Sequence, residues 1–145
     1  MAMRLNHIGV VVQDALEIAE VLRTLGLKPL TKPEPDPVQK VTACFMGKEG
    51  DDEVHIELLE PTDERSPIAK FLGKKGGGLH HLCFEVDDID AATQDLEQKG
   101  FKVVSHPVEC IGYDRSFDLG KKASTRIAFL MTSNKLLIEL LQKGR

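Results

Sequence analysis

Residues 5–33, LNHIGVVVQDALEIAEVLRTLGLKPLTKP, and residues 79–107, LHHLCFEVDDIDAATQDLEQKGFKVVSHP, are two versions of one pattern. At a constant offset of 74, without a gap, His7 falls on His81, Asp14 on Asp88, Leu22 on Leu96, Gly26 on Gly100 and Lys28 on Lys102. Leu5/Leu79, Val12/Val86 and Pro33/Pro107 complete eight identities in 29 positions, several times what composition alone supplies. After changes in loop length the register recovers. Ala-Cys-Phe-Met (residues 43–46) faces Ile-Ala-Phe-Leu (127–130), and His-Ile-Glu-Leu-Leu (55–59) faces Leu-Ile-Glu-Leu-Leu (137–141). The chain therefore carries a duplicated module. Two copies of a unit longer than a solenoid repeat, each with an apolar face to cover, point to pairing in one pseudo-twofold body.

Within each copy the pattern reads strand, helix, three strands. Leu5 to Val12 and Leu79 to Val86 are short apolar runs, each ending near an Asp suited to cap the helix that follows. Ala15, Ile18, Ala19, Leu22 and Leu25 recur at helical spacing in the first copy, and Ile89, Ala92 and Leu96 in the second. Gly26 and Gly100 supply left-handed stops. The remaining strands fall at about Lys28 to Thr31, Val41 to Met46 and Val54 to Leu59, then Phe101 to Ser105, Arg126 to Met131 and Leu136 to Leu141. Between the copies, Pro67 to Leu72 reads as a helix with Pro in its first turn, and Gly76 to Gly78 as a flexible hinge. Gly47 to Glu53 reads as an acidic turn and Glu109 to Ser124 as a long polar loop of the kind that serves a site. The expectation is one α+β domain over residues 1–145. Module one covers about 1–64, a linker helix 65–77 and module two 78–145, the paired βαβββ modules making a cup-shaped, barrel-like mixed sheet with helices outside.

Composition narrows the functions. A chain of 145 residues is one domain's worth, and its 41% hydrophobic content is enough for a core. With 19 Lys and Arg against 23 Asp and Glu there is no basic field to hold nucleic acid or an anionic membrane. Aromatics are 5% with no Trp, and Tyr113 stands alone in a polar stretch, so no stacking platform for single strands is present. Cys44, Cys83 and Cys110 are an odd number without CxxC spacing, which argues against a disulfide framework and a thiolate zinc knuckle and for a reducing compartment. Ile8 to Val12 is too short for a signal core or a membrane span. The expectation is a soluble cytoplasmic protein.

Strand alternation then isolates four polar residues. Ile8, Val10 and Val12 share one face, and His7 lies on the other with Gly9 and Val11. His81 likewise opposes Leu82, Phe84 and Val86, sharing its face with Cys83 and Glu85. Glu57 opposes Ile56 and Leu58, and Glu139 opposes Ile138 and Leu140. If the modules pair their sheets, His7, Glu57, His81 and Glu139 converge in the cup. Two imidazoles and two carboxylates suit a divalent first-row ion with positions left for water or substrate; Zn, Co, Ni, Mn and Fe(II) all qualify. Carboxylates with apolar flanks are also expensive to bury without a cation.

Each residue has a plainer reading. A lone strand His is more often a hydrogen-bonded structural residue, and Glu57 and Glu139 fit edge-strand charges that discourage aggregation; the repeat is what favours the metal. His80 reads as structural, His55 as cup-lining or exposed, and Cys83 as core. Lys74, Lys75, Arg115, Lys121, Lys122 and Arg126 fit phosphate contacts or, more simply, solvated charge. There is no GxSxG elbow, GxGxxG or HExxH, and Gly73 to Gly78 lacks the Gly-Lys-Ser/Thr ending of a phosphate loop.

Over nearly its whole length this pattern resembles the vicinal oxygen chelate (glyoxalase/bleomycin resistance/dioxygenase) superfamily, in which paired βαβββ modules form a cup around a metal. Leu-Asn-His-Ile-Gly-Val (5–10), Glu-Leu-Leu-Glu-Pro (57–61), Ser-Pro-Ile-Ala-Lys-Phe-Leu (66–72), Gly-Leu-His-His-Leu (78–82) and Val-Asp-Asp-Ile-Asp-Ala (86–91) further resemble the methylmalonyl-CoA epimerases. The resemblance implies one divalent metal on His7, Glu57, His81 and Glu139, with Glu139 also moving the substrate proton. It implies an acyl-CoA or thioester substrate and a homodimer. The chain departs from that pattern where it has Ala43 in place of a second catalytic glutamate, Lys40 within the usual Gln-Gly-Val, Leu22 or a neighbour in place of a helix aromatic, and no His-Pro and Gly turn before Ile138. The rival readings are a glyoxalase I-like lyase, an Fe(II) dioxygenase, and a metal-free binding or resistance protein.

Overall fold

The computed structural model describes residues 3–37, 39–50 and 52–145. In chain order these form β1 (Met3–Val11), α1 (Ala15–Thr24), β2 (Lys28–Pro29), β3 (Glu34–Asp36), β4 (Val41–Gly47), β5 (His55–Pro61), α2 (Pro67–Lys75), β6 (Gly78–Val86), α3 (Ile89–Gln98), β7 (Lys102–Glu109), α4 (Ile111–Phe117), β8 (Arg126–Met131) and β9 (Leu137–Gln142). The fold is α+β, and it divides into two compact units, residues 7–80 and residues 81–145 with those before His7.

In the first unit the strand order is β2-β4-β5-β1, with β3 also paired to β4. β1 runs parallel to β5, while β4 runs antiparallel to it, so the sheet is mixed. β2 and β3 occupy successive lengths of one edge of β4. Val12, Ala15, Cys44, Met46 and Leu58 are buried under α1, with Val10, Ile18, Ala19, Leu22 and Ile56 packed against them. On the opposite face, Val11, Val41, Leu59 and Ile68 form a second cluster with Ala43, Phe71 and Leu72, so α2 covers one end of the face that also carries His7 and Glu57.

The second unit repeats the plan. Its order is β6-β9-β8-β7, with β6 parallel and β8 antiparallel to β9. Val86, Ile89, Ala92, Ala128, Leu130, Ile138 and Leu140 are buried under α3. Each fully buried aliphatic side chain of such a cluster contributes roughly 1.5–3 kcal/mol. The helix starts are near copies. Asp14 (φ −134°, ψ 99°) accepts from the Glu17 amide and Asp88 (φ −134°, ψ 98°) from the Ala91 amide.

Four expectations are corrected. Leu25 lies off the α1 stripe and is exposed, because the helix ends at Thr24 and Leu25 is its cap, its N–H turned back to the last carbonyls. Gly76 to Gly78 are not a loose hinge. Gly76 is the left-handed cap of α2, and Gly78 begins β6. Gly77, at φ +97°, passes so close to Val11 that a Cβ would stand 2.6 Å from its carbonyl oxygen. The span from Glu109 to Ser124 is not all loop, since α4 buries Tyr113 and Asp114 within it. Asp114 accepts from the Thr125 amide and hydroxyl, tying α4 to the start of β8. Finally, the strand expected at Lys28 to Thr31 is only two residues long, and β3 was not foreseen, because Pro35 argues against a strand except at an edge. The acidic turn of Gly47 to Glu53 includes Asp51, which lies outside the described residues.

Candidate metal centre

Each unit holds one His–Glu pair, and the same arrangement builds both. In the first, parallel pairing sets Gly9 beside Glu57 on one flank and antiparallel pairing sets Phe45 beside it on the other. His7 Nε2 lies 3.4 Å from Glu57 Oε1. Phe45 meets the His7 ring edge-on, at 5.2 Å and 85°. In the second unit Cys83 and Phe129 flank Glu139, His81 Nε2 lies 3.5 Å from Glu139 Oε1, and Phe129 stands edge-on to His81 at 5.9 Å and 89°.

The spacing fits ligands of one ion. A charge-assisted hydrogen bond draws nitrogen and oxygen to about 2.7–2.9 Å. Two donors each about 2.0–2.2 Å from a shared cation at 90–109° are instead roughly 3.0–3.5 Å apart. Burial agrees with that reading: His7 is 1%, His81 3% and Glu139 6% exposed, and a carboxylate so far from water needs a cation or strong donors. In each pair an edge-on phenylalanine fixes the imidazole plane.

The other candidates separate cleanly. His80 packs edge-on against Phe71 at 5.3 Å, a structural role. His55 pairs in register with His7 and is half-buried. Cys44 lies in the cluster under α1, and burial, with the charges of Glu57 and Glu60, pushes its thiol above the usual range, so it is no nucleophile. Cys83 is fully buried beside Glu139. Arg126 is committed to Asp90 through two hydrogen bonds of 2.7 and 3.0 Å, Lys121 lies 3.4 Å from Asp118, and Lys75 stands over the Phe71 ring.

Sequence reasoning missed several residues. Phe45 and Phe129 are one; their signal was their matched place in the repeat. Another is a cluster around Glu85, which shares the His81 face and accepts from Arg4 Nη2 (2.9 Å) and Asn6 Nδ2 (3.0 Å), with Lys143 Nζ 3.3 Å away. Two cations on one carboxylate leave a net positive charge there. Tyr113 is a third. Burial pushes its phenol well above the usual range, against the opposing effect of a hydrogen bond with Asn6, so it stays protonated. No sequence period announces these three elements.

A profile of the Glyoxalase/Bleomycin resistance protein/Dioxygenase superfamily matches residues 6–129. The chain belongs to this superfamily. Within it, the chain is 40% identical over 111 residues to the ethylmalonyl-CoA/methylmalonyl-CoA epimerase of Cereibacter sphaeroides, covering 75% of this chain and 80% of that one. It is 36% identical over 107 residues to the human mitochondrial methylmalonyl-CoA epimerase, covering 73% of this chain and 59% of that protein. The crystal structure of methylmalonyl-CoA epimerase from Mycobacterium tuberculosis superposes with a TM-score of 0.79 at 29% identity, covering 98% of this chain and 89% of that one. This superfamily member is an enzyme, an isomerase of the epimerase kind. Among the described residues, no helix is long and apolar enough to cross a membrane.

Proposed function

We propose that the chain is a metal-dependent epimerase of methylmalonyl-CoA or a related 2-substituted acyl-CoA, working as a single domain with one divalent ion on His7, Glu57, His81 and Glu139. The observation that carries this reading is the recurrence of one His–Glu pair, at ligand spacing, in both units. The names of the relatives support the substrate class. The same reading includes a homodimer and a cytoplasmic location, the latter in keeping with three free cysteines.

The substrate proton lies between a thioester carbonyl and a carboxylate. When bound, the ion supplies positive charge where the enolate oxygen develops. The chain's own residues do the rest. His7 and His81 are held in orientation by Phe45 and Phe129. Glu139 accepts the α-proton as general base, and Arg4 and Lys143 offer positive charge to an anionic substrate group.

Deuterium entry at the α-carbon of methylmalonyl-CoA in D₂O, followed by NMR with the protein metal-stripped and then reloaded with Co²⁺, tests the reading. Metal-dependent exchange is expected. No exchange with any of several divalent ions would refute it and favour the lyase or binding alternatives.

A further inference from the structure

The repeat supplies a control for one end of the second unit. Arg4, Asn6 and Glu85 stand where the other copy has Gly78, His80 and Val11, and Lys143 stands where it has Pro61, by the same two offsets that align the copies. The first unit fills this end with apolar contacts. Val11 is in the cluster with Phe71 and Leu72 of α2, and His80 meets Phe71 edge-on. The second unit builds the same end from two cations, a carboxylate and an amide, with Tyr113 of α4 hydrogen-bonded to Asn6. The fold therefore does not require charge at these places, and half-burying three charged groups there carries a desolvation cost that the first unit avoids.

The cluster is short of one anion. Arg4 Nη2, Asn6 Nδ2 and Lys143 Nζ converge on a single oxygen, Glu85 Oε1, at 2.9, 3.0 and 3.3 Å. That carboxylate balances only one of the two cations. Arg4 Nη1 is buried and has no hydrogen-bond partner among the described residues, and the parallel donors of a guanidinium match two oxygens of one carboxylate or phosphate. The Arg4 and Lys143 side chains keep 35% and 28% exposure, so an anion from solution reaches them. All four residues belong to the unit that holds Glu139. Cys83 is registered against Glu139, and Glu85 lies two residues further along the same face. That places the Glu85 and Glu139 Cα atoms about 8 Å apart.

We propose that Arg4 and Lys143 form an oxyanion site for one carboxylate or phosphate group of the acyl-CoA, with Glu85 as its built-in counter-ion; this rests on the function proposed above. In the empty site Glu85 and Asn6 hold the two cations together against their mutual repulsion. A bound oxyanion then matches the second positive charge. Because Glu85 already neutralises one cation, the site takes a single negative charge.

The plainer role for the cluster is to pin the start of β1 to β6, as half-exposed ion pairs do weakly elsewhere, and ligand binding separates the two. Titration calorimetry would follow two ligands on the metal-loaded wild type, Arg4→Met, Lys143→Met and Glu85→Gln. Propionyl-CoA carries phosphates but no free carboxylate, and methylmalonyl-pantetheine carries the carboxylate but no phosphate. Arg4→Met and Lys143→Met should each weaken one of the two ligands by about 10-fold or more and leave the other within about threefold, and the ligand affected identifies the group bound. Glu85→Gln keeps both cations and removes the competing charge, so it should bind that same ligand about threefold or more tighter, which a purely structural cluster does not do. Unchanged affinity for both ligands in Arg4→Met and Lys143→Met, equal weakening of both, or no tightening in Glu85→Gln would overturn the proposal. If Arg4→Met does not fold, Lys143→Met and Glu85→Gln decide the matter in the same way. A wild type that exchanges the α-proton while all three variants bind as it does would refute this site alone. A wild type that binds neither ligand and exchanges no α-proton would refute the function on which the site rests.

Discussion

The two units match most closely at their His–Glu pairs and differ in what stands beside them. His–Glu spacings of 3.4 and 3.5 Å, edge-on phenylalanines and helix caps within a degree of each other are common to both. Beside Glu57, however, the neighbouring strand presents Gly9, and beside Glu139 it presents the buried Cys83. The Glu57 side chain keeps 15% exposure and that of Glu139 only 8%. One fold position thus yields two carboxylates, and the charge on Glu139 is the costlier to hold bare. The first unit adds β3 with its acids, and the second adds α4 with a protonated phenol. The His–Glu pairs are thus the repeated part, and β3 and α4 are particular to one unit each.

The largest expected effect breaks the symmetry at the carboxylates. Glu139→Gln should slow α-proton exchange by about 10²- to 10⁴-fold at saturating metal. Glu57→Gln should lose mainly metal affinity and recover most exchange when metal is raised. Equal, unrescued losses would mean that the pairs do the same work.

In the cores the units should instead behave alike. Leu58 and Leu140 are each at most 1% exposed, so Leu58→Ala and Leu140→Ala should each cost about 2–5 kcal/mol in denaturant unfolding. A much smaller cost in one unit would show a core able to collapse around the cavity.

Metal removal tests whether the pairs act as one site. A chelator should lower the unfolding temperature, and metal at about 100 times its Kd should return about 2.7 kcal/mol. His7→Ala and His81→Ala should each abolish that gain, with one ion per chain in the wild type by elemental analysis. Two ions per chain, or a gain surviving in either variant, would separate the pairs.

The helix starts give a finer contrast. Asp14→Ala and Asp88→Ala should each cost about 0.5–2 kcal/mol, equally, because their cap geometry is the same. The first helical amide of α1 is held by Glu60 at 2.9 Å, and that of α3 by Gln142 at 2.9 Å. Glu60→Gln should therefore remove only the charge–dipole part, about 0.3–1 kcal/mol, and salt should shrink the difference.

The smallest effect belongs to the exposed Asp90–Arg126 pair. The hydrogen bonds from Arg126, above all, hold the Asp90 carboxyl below its ordinary 3.8. Its contribution is therefore present above that value and lost as pH falls through the lowered folded one. An NMR titration of Arg126→Met should return Asp90 toward 3.8, and an unchanged titration would deny the guanidinium that role.

The strands and caps were legible because they follow local rules. A period of two put His7 opposite Ile8 and Val10, and Asp at the end of an apolar run predicted both N-caps. Leu25 was misread because its place on the helical stripe did not reveal that the helix stops one residue earlier. The α4 turn was hidden because Ile111–Phe117 is short and polar by composition, and its order comes from Asp114 meeting Thr125 eleven residues on. β3 was hidden by Pro35, which an edge strand tolerates.

By itself the sequence determined the duplication, the strand–helix order of each copy, and the side of each sheet on which His7, Glu57, His81 and Glu139 lie. All of these follow from identity at a fixed offset and from side-chain periods of 2 and 3.6. Tertiary structure alone decided the imidazole–carboxylate spacing, the phenylalanines that fix the rings, the gathering of Arg4, Asn6 and Lys143 on Glu85, and the register that sets Glu34 against Ala43. Those are contacts between residues distant in the chain. Their geometry depends on which strands pair and in what register, and no local preference encodes that.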